Sequence, residues 1–552
     1  MEHQCEDCKF NVECSRAKIH GPPDVLYQHY LRNNGYPPPD QADSLVAGLD
    51  IAKAQSRLIR DTIARLQTAI ASLEGEDSRI RDIIARYRTV IRPVYKLPPE
   101  LLAKIFLSSL EPPAVLQDAV ARTYPPHSFD TSKIPWVLGQ VCTLWRRVVL
   151  QTPGIWASVY FSFRGGDATT AASQIHAHRL RLQLQRSANH PLTVVTFTPL
   201  NLTLSVSDPM VVLLASHTHH IRHLRIDLNR NNIPITHLSQ GLFQALETLD
   251  IRILIRRSSS RTWTSPTNLD VFKFASRLNT LILSGDLSCL ELKFPFLQIT
   301  RFYWCDAENP DNSSLSYLRS FLAILYGLQK CRLSFHPQTI ASYGPAVGGS
   351  AFNTISKLSF SCLQELELTC STSERPVPNR GILTWITSSN LTSLTLFASG
   401  KDPATFSTLF PNPQRIVYLV IHQVEMPATE FADVLAKLTS LQTLGFGVGN
   451  GITDEYISPL QLTLHESETF WVAPKLRWLS LLATPELMSS YTNEKIVGVL
   501  ETRRREVSAA SGNAQLISVV LDRNVTDRSA GERLNSLISN GLRVQVTEGT
   551  RK

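Results

Sequence analysis

The residues best suited to chemistry near the start of the chain are three cysteines. Cys5 and Cys8 form a Cys-x-x-Cys pair, Cys14 follows, and His3 and His20 lie nearby. Zinc prefers thiolate and imidazole ligands, but a structural zinc site takes four of them, usually from two paired knuckles. Because the sequence offers only one Cys-x-x-Cys pair, we predict no metal, and whether Cys5, Cys8 and Cys14 bind zinc stays open.

A second cluster consists of histidines, at His217, His219, His220 and His223. It follows the apolar stretch 209–216, which predicts a helix. Histidine side chains suit the negative end of a helix dipole. We therefore predict a structural role for this cluster and no metal.

Motifs of known catalytic mechanisms are absent from the sequence. It has no phosphate-binding Gly-x-x-x-x-Gly-Lys loop, no Gly-x-Ser-x-Gly elbow and no His-Glu-x-x-His motif. We predict a protein that is not an enzyme, with no catalytic residue, no cofactor and no metal.

Length and composition indicate a folded, elongated protein. The chain has 552 residues, of which 43% are hydrophobic and 18% charged. That length is too great for one compact domain unless the chain grows by repeats. The net charge of +8, spread over 55 basic and 47 acidic residues, lacks the dense basic stripe of a nucleic-acid-binding protein. We predict no nucleic-acid partner.

Cysteine usage and hydropathy bear on the cellular compartment. Most of the nine cysteines are scattered singly through apolar text, as free thiols are in a reducing compartment. No stretch approaches the roughly 18 apolar residues of a membrane span, and the polar start lacks the apolar core of a secretion signal. We predict a cytoplasmic and/or nuclear protein with no membrane partner.

The elements that organise the chain begin after residue 44. Residues 1–44 contain the proline-rich stretches 21–24 and 37–40, which block helices, so we predict a flexible tail. Over 45–92, apolar residues recur in alternating steps of four and three, the heptad pattern of a coiled-coil-like helix. The seam consists of Leu45, Leu49, Ala52, Ser56, Ile59, Ile63, Leu66, Ile70, Leu73, Asp77, Ile80, Ile84, Tyr87 and Ile91.

A seam of this kind needs a partner surface. Ser56 and Asp77 interrupt it, and Gly75 weakens the helix locally. The sequence leaves two alternatives open: the segment folds back at Gly75 as an antiparallel hairpin, or it pairs with another chain, including a second copy. The other faces carry many arginines, which we interpret as a solvated basic surface.

Residues 93–160 predict a helical module. Pro98 and Pro99 suit the first turn of a helix, where the missing N–H is not needed. The stretch 97–110 then has a strongly apolar face. Residues 111–134 are proline-rich and break the pattern, and 135–159 are again helical up to an aromatic anchor at Trp156.

This module resembles the F-box in the order and type of its residues. The match covers about 60 residues, roughly a tenth of the chain. The matching stretches are Leu97-Pro98-Pro99-Glu100, Ile105-Phe106, Val141-Cys142-x-x-Trp145-Arg146 and Pro153-Gly154-Ile155-Trp156. The layout of the whole chain, with a proline-rich tail, a basic coil, the F-box and leucine-rich repeats, is similar to that of a fungal-type F-box-like family.

The resemblance implies that the module binds a Skp-type adaptor and, through it, a cullin that delivers ubiquitin to a bound target. An apolar helix pair with Trp145 and Trp156 has more aromatic surface than a small unit easily buries, which favours a helical partner. The alternative is that these residues only form a core. The resemblance assigns adaptor binding to Leu97, Pro98, Ile105, Phe106, Val141 and Trp145.

After about residue 190 a Leu-x-x-Leu-x-Leu signature recurs roughly every 28 residues, within the range of leucine-rich repeats. It predicts an irregular solenoid over 190–546, whose last stretch, 532–546, caps the open edge. The clear instances are Ile221-Leu224-Ile226, Leu246-Leu249-Ile251, Leu278-Leu281-Leu283, Leu363-Leu366-Leu368, Leu391-Leu394-Leu396, Ile416-Leu419-Ile421, Leu441-Leu444-Phe446 and Leu476-Leu479-Leu481. Two weaker instances are Leu297-Thr300-Phe302 and Leu328-Cys331-Leu333.

Residues between the apolar positions should point outward, because side chains alternate along a strand. This alternation predicts a concave surface on which side chains such as Arg225, Thr248, Asp250, Thr280 and Ile282 are exposed.

One basic patch stands out on that predicted surface. Neighbouring strands lie about 4.8 Å apart, so Arg301, Tyr303, Lys330 and Arg332 should lie together. Arginine and tyrosine are favoured in interfaces, so we predict that the patch binds a target with an acidic or phosphorylated segment. The alternative is a solvated surface that Glu365 and Glu367 partly neutralise.

These patterns predict an α/β solenoid of irregular leucine-rich repeats, preceded by an α-helical F-box-like module and a coiled-coil-like helix. We expect the substrate-recognition subunit of a Skp-cullin-F-box ubiquitin ligase, which binds the adaptor through its F-box and an unknown protein target through its repeats. The alternative is a non-catalytic interaction scaffold that self-associates through the coil and has no ubiquitin role.

Overall fold

The structure, a computed structural model, describes the chain in segments separated by gaps. These segments are 28–30, 32, 35–90, 96–110, 128–162, 171–197, 208–229, 243–254, 270–285, 293–305, 312–335, 358–370, 386–397, 412–424, 427–448, 452–461, 472–481, 491–504, 514–521 and 524–546. The cysteines and histidines near the start, His3, Cys5, Cys8, Cys14 and His20, lie outside the described residues.

The chain divides into two units, Met1–Pro98 and Pro99–Lys552. In the first unit, helix α1 spans Pro39–Val90 and is 52 residues long. It begins inside the stretch that we predicted as tail, because Pro39 occupies the first turn, where proline is tolerated. The helix continues through Gly75, so the predicted hairpin at that residue is wrong. Among the described residues, no helix is both long and apolar enough to cross a bilayer.

The second unit contains ten further α-helices in its described residues. They are α2 (Pro99–Ser109), α3 (Leu138–Val141), α4 (Thr143–Gln151), α5 (Ala171–Ser187), α6 (Pro209–Ala215), α7 (Asn312–Ala323), α8 (Ala428–Lys437), α9 (Asp454–Ile457), α10 (Asn493–Arg504) and α11 (Arg528–Ser539).

Strands recur along the described part of this unit. They are β1 (Ser158–Ser162), β2 (Leu192–Phe197), β3 (Ile221–Asn229), β4 (Thr248–Leu254), β5 (Thr280–Ser284), β6 (Arg301–Cys305), β7 (Lys330–Phe335), β8 (Leu358–Ser359), β9 (Glu365–Cys370), β10 (Ile386–Thr387), β11 (Ser393–Phe397), β12 (Tyr418–Val424), β13 (Thr443–Val448), β14 (Trp478–Leu481), β15 (Ser518–Leu521) and β16 (Arg543–Val546).

Fourteen of these strands form one parallel sheet, and β8 pairs with β10 in a small second sheet. The order in the large sheet follows the chain, so each new strand is added at the growing edge. Parallel neighbours need a crossover connection, and helices supply several of these. The protein is therefore an α/β protein with a large parallel sheet and a helix ahead of it.

Register in the sheet is set by one ladder of apolar side chains. A shift by one residue would move this ladder to the other face, so burial fixes the pairing. The core that it enters is one continuous cluster extending from Phe129 to Leu542. The buried ladder consists of Val159, Val194, Leu224, Leu249, Leu281, Phe302, Cys331, Leu366, Leu394, Leu419, Leu444, Leu479 and Val519.

The sheet begins earlier than the sequence indicated. Strand β1 starts at Ser158, inside the module predicted for 93–160, rather than after residue 190. Helix α5 packs its buried Leu180 and Leu184 into the same core cluster as Val159. The core of the sheet therefore includes residues on both sides of residue 160. The last strand ends at Val546.

The opposite face of the sheet is not uniformly open. On β3, β4 and β5 the outward side chains of Arg225, Thr248, Asp250, Thr280 and Ile282 are buried, so their predicted exposure is wrong. The alternation itself is correct, because their neighbours in the sequence enter the core. The prediction failed because alternation assigns a side chain to a face and does not say whether that face is covered. From β6 onward the same face carries exposed side chains.

Candidate functional site

Helix α2 carries two apolar stripes on adjacent faces, about 100° apart around the helix axis. Leu102 and Phe106, four residues apart, are buried, and Phe106 is only 2% exposed. Leu101 and Ile105, also four residues apart, are 46% and 48% exposed. Residues spaced by four share one face of a helix. The inner stripe accounts for the packing of α2, whereas folding of the described chain leaves the outer stripe uncovered.

Cys142 defines how the next helices join α2. Its Sγ accepts a hydrogen bond of 3.5 Å from the backbone N–H of Trp145, so it caps the start of α4. The ring of Trp145 then lies 4.8 Å, centroid to centroid, from the ring of Phe106. Val141, the residue before the cap, is 54% exposed. The Phe106–Trp145 contact therefore brings the stretches 97–110 and 135–156 together.

Trp156 joins these helices to helix α5. It is buried, and its Nε1–H donates to the carbonyl oxygen of Val149 over 2.8 Å. Trp136 meets it edge to face with ring centroids 5.1 Å apart, and the guanidinium of Arg186 on α5 lies 4.4 Å from its ring centroid. Burial lowers the pKa of Arg186. A cation held over an indole adds to the packing, and more so where it is desolvated.

The six residues predicted for adaptor binding have different environments. Pro98, Ile105 and Val141 are exposed, and Leu97 and Trp145 are partly buried. Phe106 is buried beside Leu102, its i, i−4 neighbour on the inner face of α2, so in the free chain it packs internally. The prediction missed Leu101, which helical spacing from Ile105 could have identified.

The basic patch predicted on the sheet is assembled by strand register. Arg301 on β6 lies directly opposite Lys330 on β7, and Tyr303 lies opposite Arg332. Arg301 and Arg332 are exposed, whereas Lys330 and Tyr303 are partly buried. The sequence prediction that these four side chains lie together is thus met by the geometry.

Acidic residues of the next strand neutralise much of this patch. The Nζ of Lys330 lies 2.6 Å from Glu365, and the Nε of Arg332 lies 3.2 Å from Glu367. Among the residues that the structure describes, no carboxylate forms an ion pair with Arg301. Three cations thus lie beside two carboxylates, which is the partial neutralisation that the sequence offered as the alternative.

Exposed aromatic side chains extend the row of Arg301 across the sheet. Tyr418 and Trp478 are 40% and 39% exposed. Trp478 was missed, although the signature Leu476-Leu479-Leu481 places it at the outward position by the same alternation rule. Tryptophan and tyrosine are favoured in interfaces. The row consists of Arg301, Lys330, Glu365, Ser393, Tyr418, Thr443 and Trp478.

A buried charge cluster lies on β3 and β4 of the same face. The Nε of Arg225 lies 3.6 Å from Asp250 and 3.9 Å from Asp227, and the Nε of Arg252 lies 3.6 Å from Asp250. Burial raises the pKa of Asp227 to about 6, against the opposing effect of the two guanidinium groups, and it also raises the pKa of Asp250. These groups tie two strands together and are not accessible to a partner.

The histidine cluster lies at the end of α6, as its sequence position indicated. The Nδ1 of His217 is 3.0 Å from the carbonyl oxygen of Leu213, and the rings of His219 and His220 are 3.8 Å apart. Burial lowers the pKa of His220. Within the described segments, no group of histidine, cysteine and acidic side chains is arranged to hold a metal ion.

The chain offers two kinds of surface, an apolar one on α2 and α3 and a mixed aromatic and charged one on the sheet from β6 to β14. Both are suited to binding protein surfaces. No protein-family model matches the sequence, and no curated protein matches it.

Proposed function

We propose that the protein is a non-catalytic substrate receptor of a Skp-cullin-F-box ubiquitin ligase. In this proposal, residues 97–110 and 135–156 bind a Skp-type adaptor, and the sheet holds the protein to be modified. The observation that carries the proposal is the outer stripe of α2, Leu101 and Ile105, which is apolar, half exposed and unused by the fold.

The F-box interpretation gains support from the roles of its motif residues. Cys142 caps a helix, Trp145 packs on Phe106, and Trp156 packs against Arg186 of α5. These contacts give physical reasons for the motif. Ile105 and Val141 are exposed and do not contribute to this packing. Exposed apolar residues on a pair of helices are suited to binding a helical partner.

The leucine-rich-repeat interpretation gains support from the order and register of the strands. Successive strands pair in chain order, and each repeats the same apolar position of the ladder. A sheet that grows by one unit at a time gives an extended surface of the kind that repeat proteins use for binding. On that surface, Arg301, Tyr303, Tyr418 and Trp478 are the proposed contacts with the target.

Ile105→Asp tests the adaptor surface. Because Ile105 is half exposed, a carboxylate at this position remains hydrated in the free protein but would be buried without a partner in the complex. We expect co-expression with a Skp-type adaptor to recover at least tenfold less complex with Ile105→Asp than with the wild type.

Ile538→Asp is the matched control, since Ile538 lies on helix α11 and is 42% exposed. It should leave the recovery of the complex unchanged. Equal recovery with both variants would contradict the assignment of Ile105, and no complex with the wild-type chain would contradict the function.

The alternative, an interaction scaffold without a ubiquitin role, is favoured by one observation, the exposed seam of α1. A scaffold would self-associate and ignore the adaptor. Recovery of a chain–adaptor complex separates the two functions.

A further inference from the structure

Helix α1 exposes its heptad seam over most of its length. Eight large seam side chains are between 43% and 69% exposed. The helix does not fold back on itself, so the seam has no cover from its own second half. These residues are Leu49, Ile59, Ile63, Ile70, Leu73, Ile80, Ile84 and Tyr87.

Asp77 decides how such a seam can pair. It lies on the seam, where it forms an intrahelical ion pair with Arg81 at 2.6 Å. In a parallel, in-register pair of two copies, each seam residue faces itself, so two Asp77 carboxylates would meet between the helices. Like charges brought together in that way are destabilising. A parallel dimer is therefore disfavoured by the seam itself.

We infer that α1 binds a second copy of this chain as an antiparallel coiled coil. In the register that suits the seam best, Ile63 faces Leu66 of the second copy and Ile70 faces Ile59. Asp77 then faces Ala52, whose small side chain leaves the carboxylate hydrated. Leu49 faces Ile80 by the same rule, so the apolar pairs continue on both sides of the centre.

Charges beside the seam select this register. It brings Lys53 of each copy next to Glu74 of the other, which gives two attractive pairs by symmetry. Sliding the helices by one heptad places Asp77 against Ile59 and Lys53 beside Arg81. In that register the attraction between Arg60 and Glu74 is cancelled by repulsion between Lys53 and Arg81. Flanking charges set partner and orientation in coiled coils.

The arrangement has a measurable geometry. At about 1.5 Å per residue, the two Arg86 side chains of an antiparallel pair lie about 65 Å apart, at opposite ends of the rod. In a parallel pair the same side chains would be separated only by the width of two helices, about 20 Å. This inference does not depend on the proposed ubiquitin role.

A charge swap on the full chain tests both the partner and the orientation. Light scattering should give twice the monomer mass of 61.7 kDa for the wild type at micromolar concentration. Glu74→Lys alone should weaken dimerisation at least tenfold, because the new cation meets Lys53 in this register and Arg60 in the register one heptad away. The double variant Lys53→Glu, Glu74→Lys should restore the dissociation constant to within about threefold, because both antiparallel pairs are rebuilt.

Arg57→Glu, an exposed position away from the seam, is the control and should leave the mass unchanged. Circular dichroism should show the same helix content in all variants. A wild-type monomer at 100 µM would overturn the inference. Spin labels attached at position 86 of both copies measure the separation directly. Failure of the double variant to restore dimerisation, or a label separation of about 20 Å, would overturn the antiparallel arrangement.

Discussion

Two adjacent residues of helix α2, Ile105 and Phe106, have different environments. Phe106 packs on Trp145 inside the module, whereas Ile105, one position earlier, is half exposed. A sequence pattern treats both as apolar residues of one helix. Only the position of the neighbouring helix α4 separates the residue that stabilises the fold from the one that remains for a partner.

The buried carboxyl group of Asp227 should make the stability of the folded protein depend on pH. Its pKa is raised from 3.8 to about 6 in the folded protein, so the folded state binds the proton more tightly than the unfolded chain. The associated stability is present below pH 4 and is lost as the pH rises towards 6 and above. A shift of two units corresponds to about 3 kcal/mol.

Asp227→Asn should remove this dependence. Relative to the variant, the wild type should lose about 3 kcal/mol of unfolding free energy between pH 4 and pH 7, as measured by urea denaturation. Asp433→Asn, at an exposed position on α8, should not change the pH profile in this way. Parallel profiles for wild type and Asp227→Asn would show that the buried cluster does not hold a proton.

At the scale of elements, the sequence predicted the strands of the repeats better than it predicted strand β1 and helix α1. The Leu-x-x-Leu-x-Leu signature identified the strands that carry Leu224, Leu281 and Leu419, because burial of one face imposes a regular spacing. Strand β1 was missed because Val159 and Phe161 follow the helical text without such a signature. Continuity of α1 through Gly75 was also beyond the pattern, since one glycine costs a helix only about 1 kcal/mol.

The turn after β5 gives an element-scale prediction. Gly285 has φ of +100°, and a Cβ at this position would lie 2.5 Å from the carbonyl oxygen of Ile253. Gly285→Ala should therefore lower the free energy of unfolding by at least about 2 kcal/mol, from backbone strain and this clash.

Gly531 provides the matched control, because it lies inside helix α11 and nothing would contact its added Cβ within 4 Å. Gly531→Ala should raise stability by about 0.5–1 kcal/mol, since alanine loses less backbone entropy in a helix. Urea denaturation of both variants measures the difference. Equal effects would mean that the conformation at Gly285 does not constrain the sheet.

At the scale of the whole molecule, the core of the sheet begins at Phe129, ahead of the first strand. Phe129 belongs to the same buried cluster as Val159 and Leu180. The sequence ended the helical module at residue 160 because its F-box-like stretch ends at Trp156, whereas packing joins the two sides through Trp156 and Arg186. The four residues of the basic patch could be placed together from register alone. The same register places Glu365 opposite Lys330 and Glu367 opposite Arg332, and only the side-chain distances of the two ion pairs had to come from the structure.

The central claim is that the exposed apolar residues of α2 and α3 are the binding site of a Skp-type adaptor. Hydrogen exchange of the purified full chain, with and without a purified Skp-type adaptor, tests it most directly. We expect slower exchange in 97–110 and 135–156 when the adaptor is added, with no change in β6, β7 and β9. Unchanged exchange in both stretches at 100 µM adaptor, or protection confined to the sheet, would contradict it.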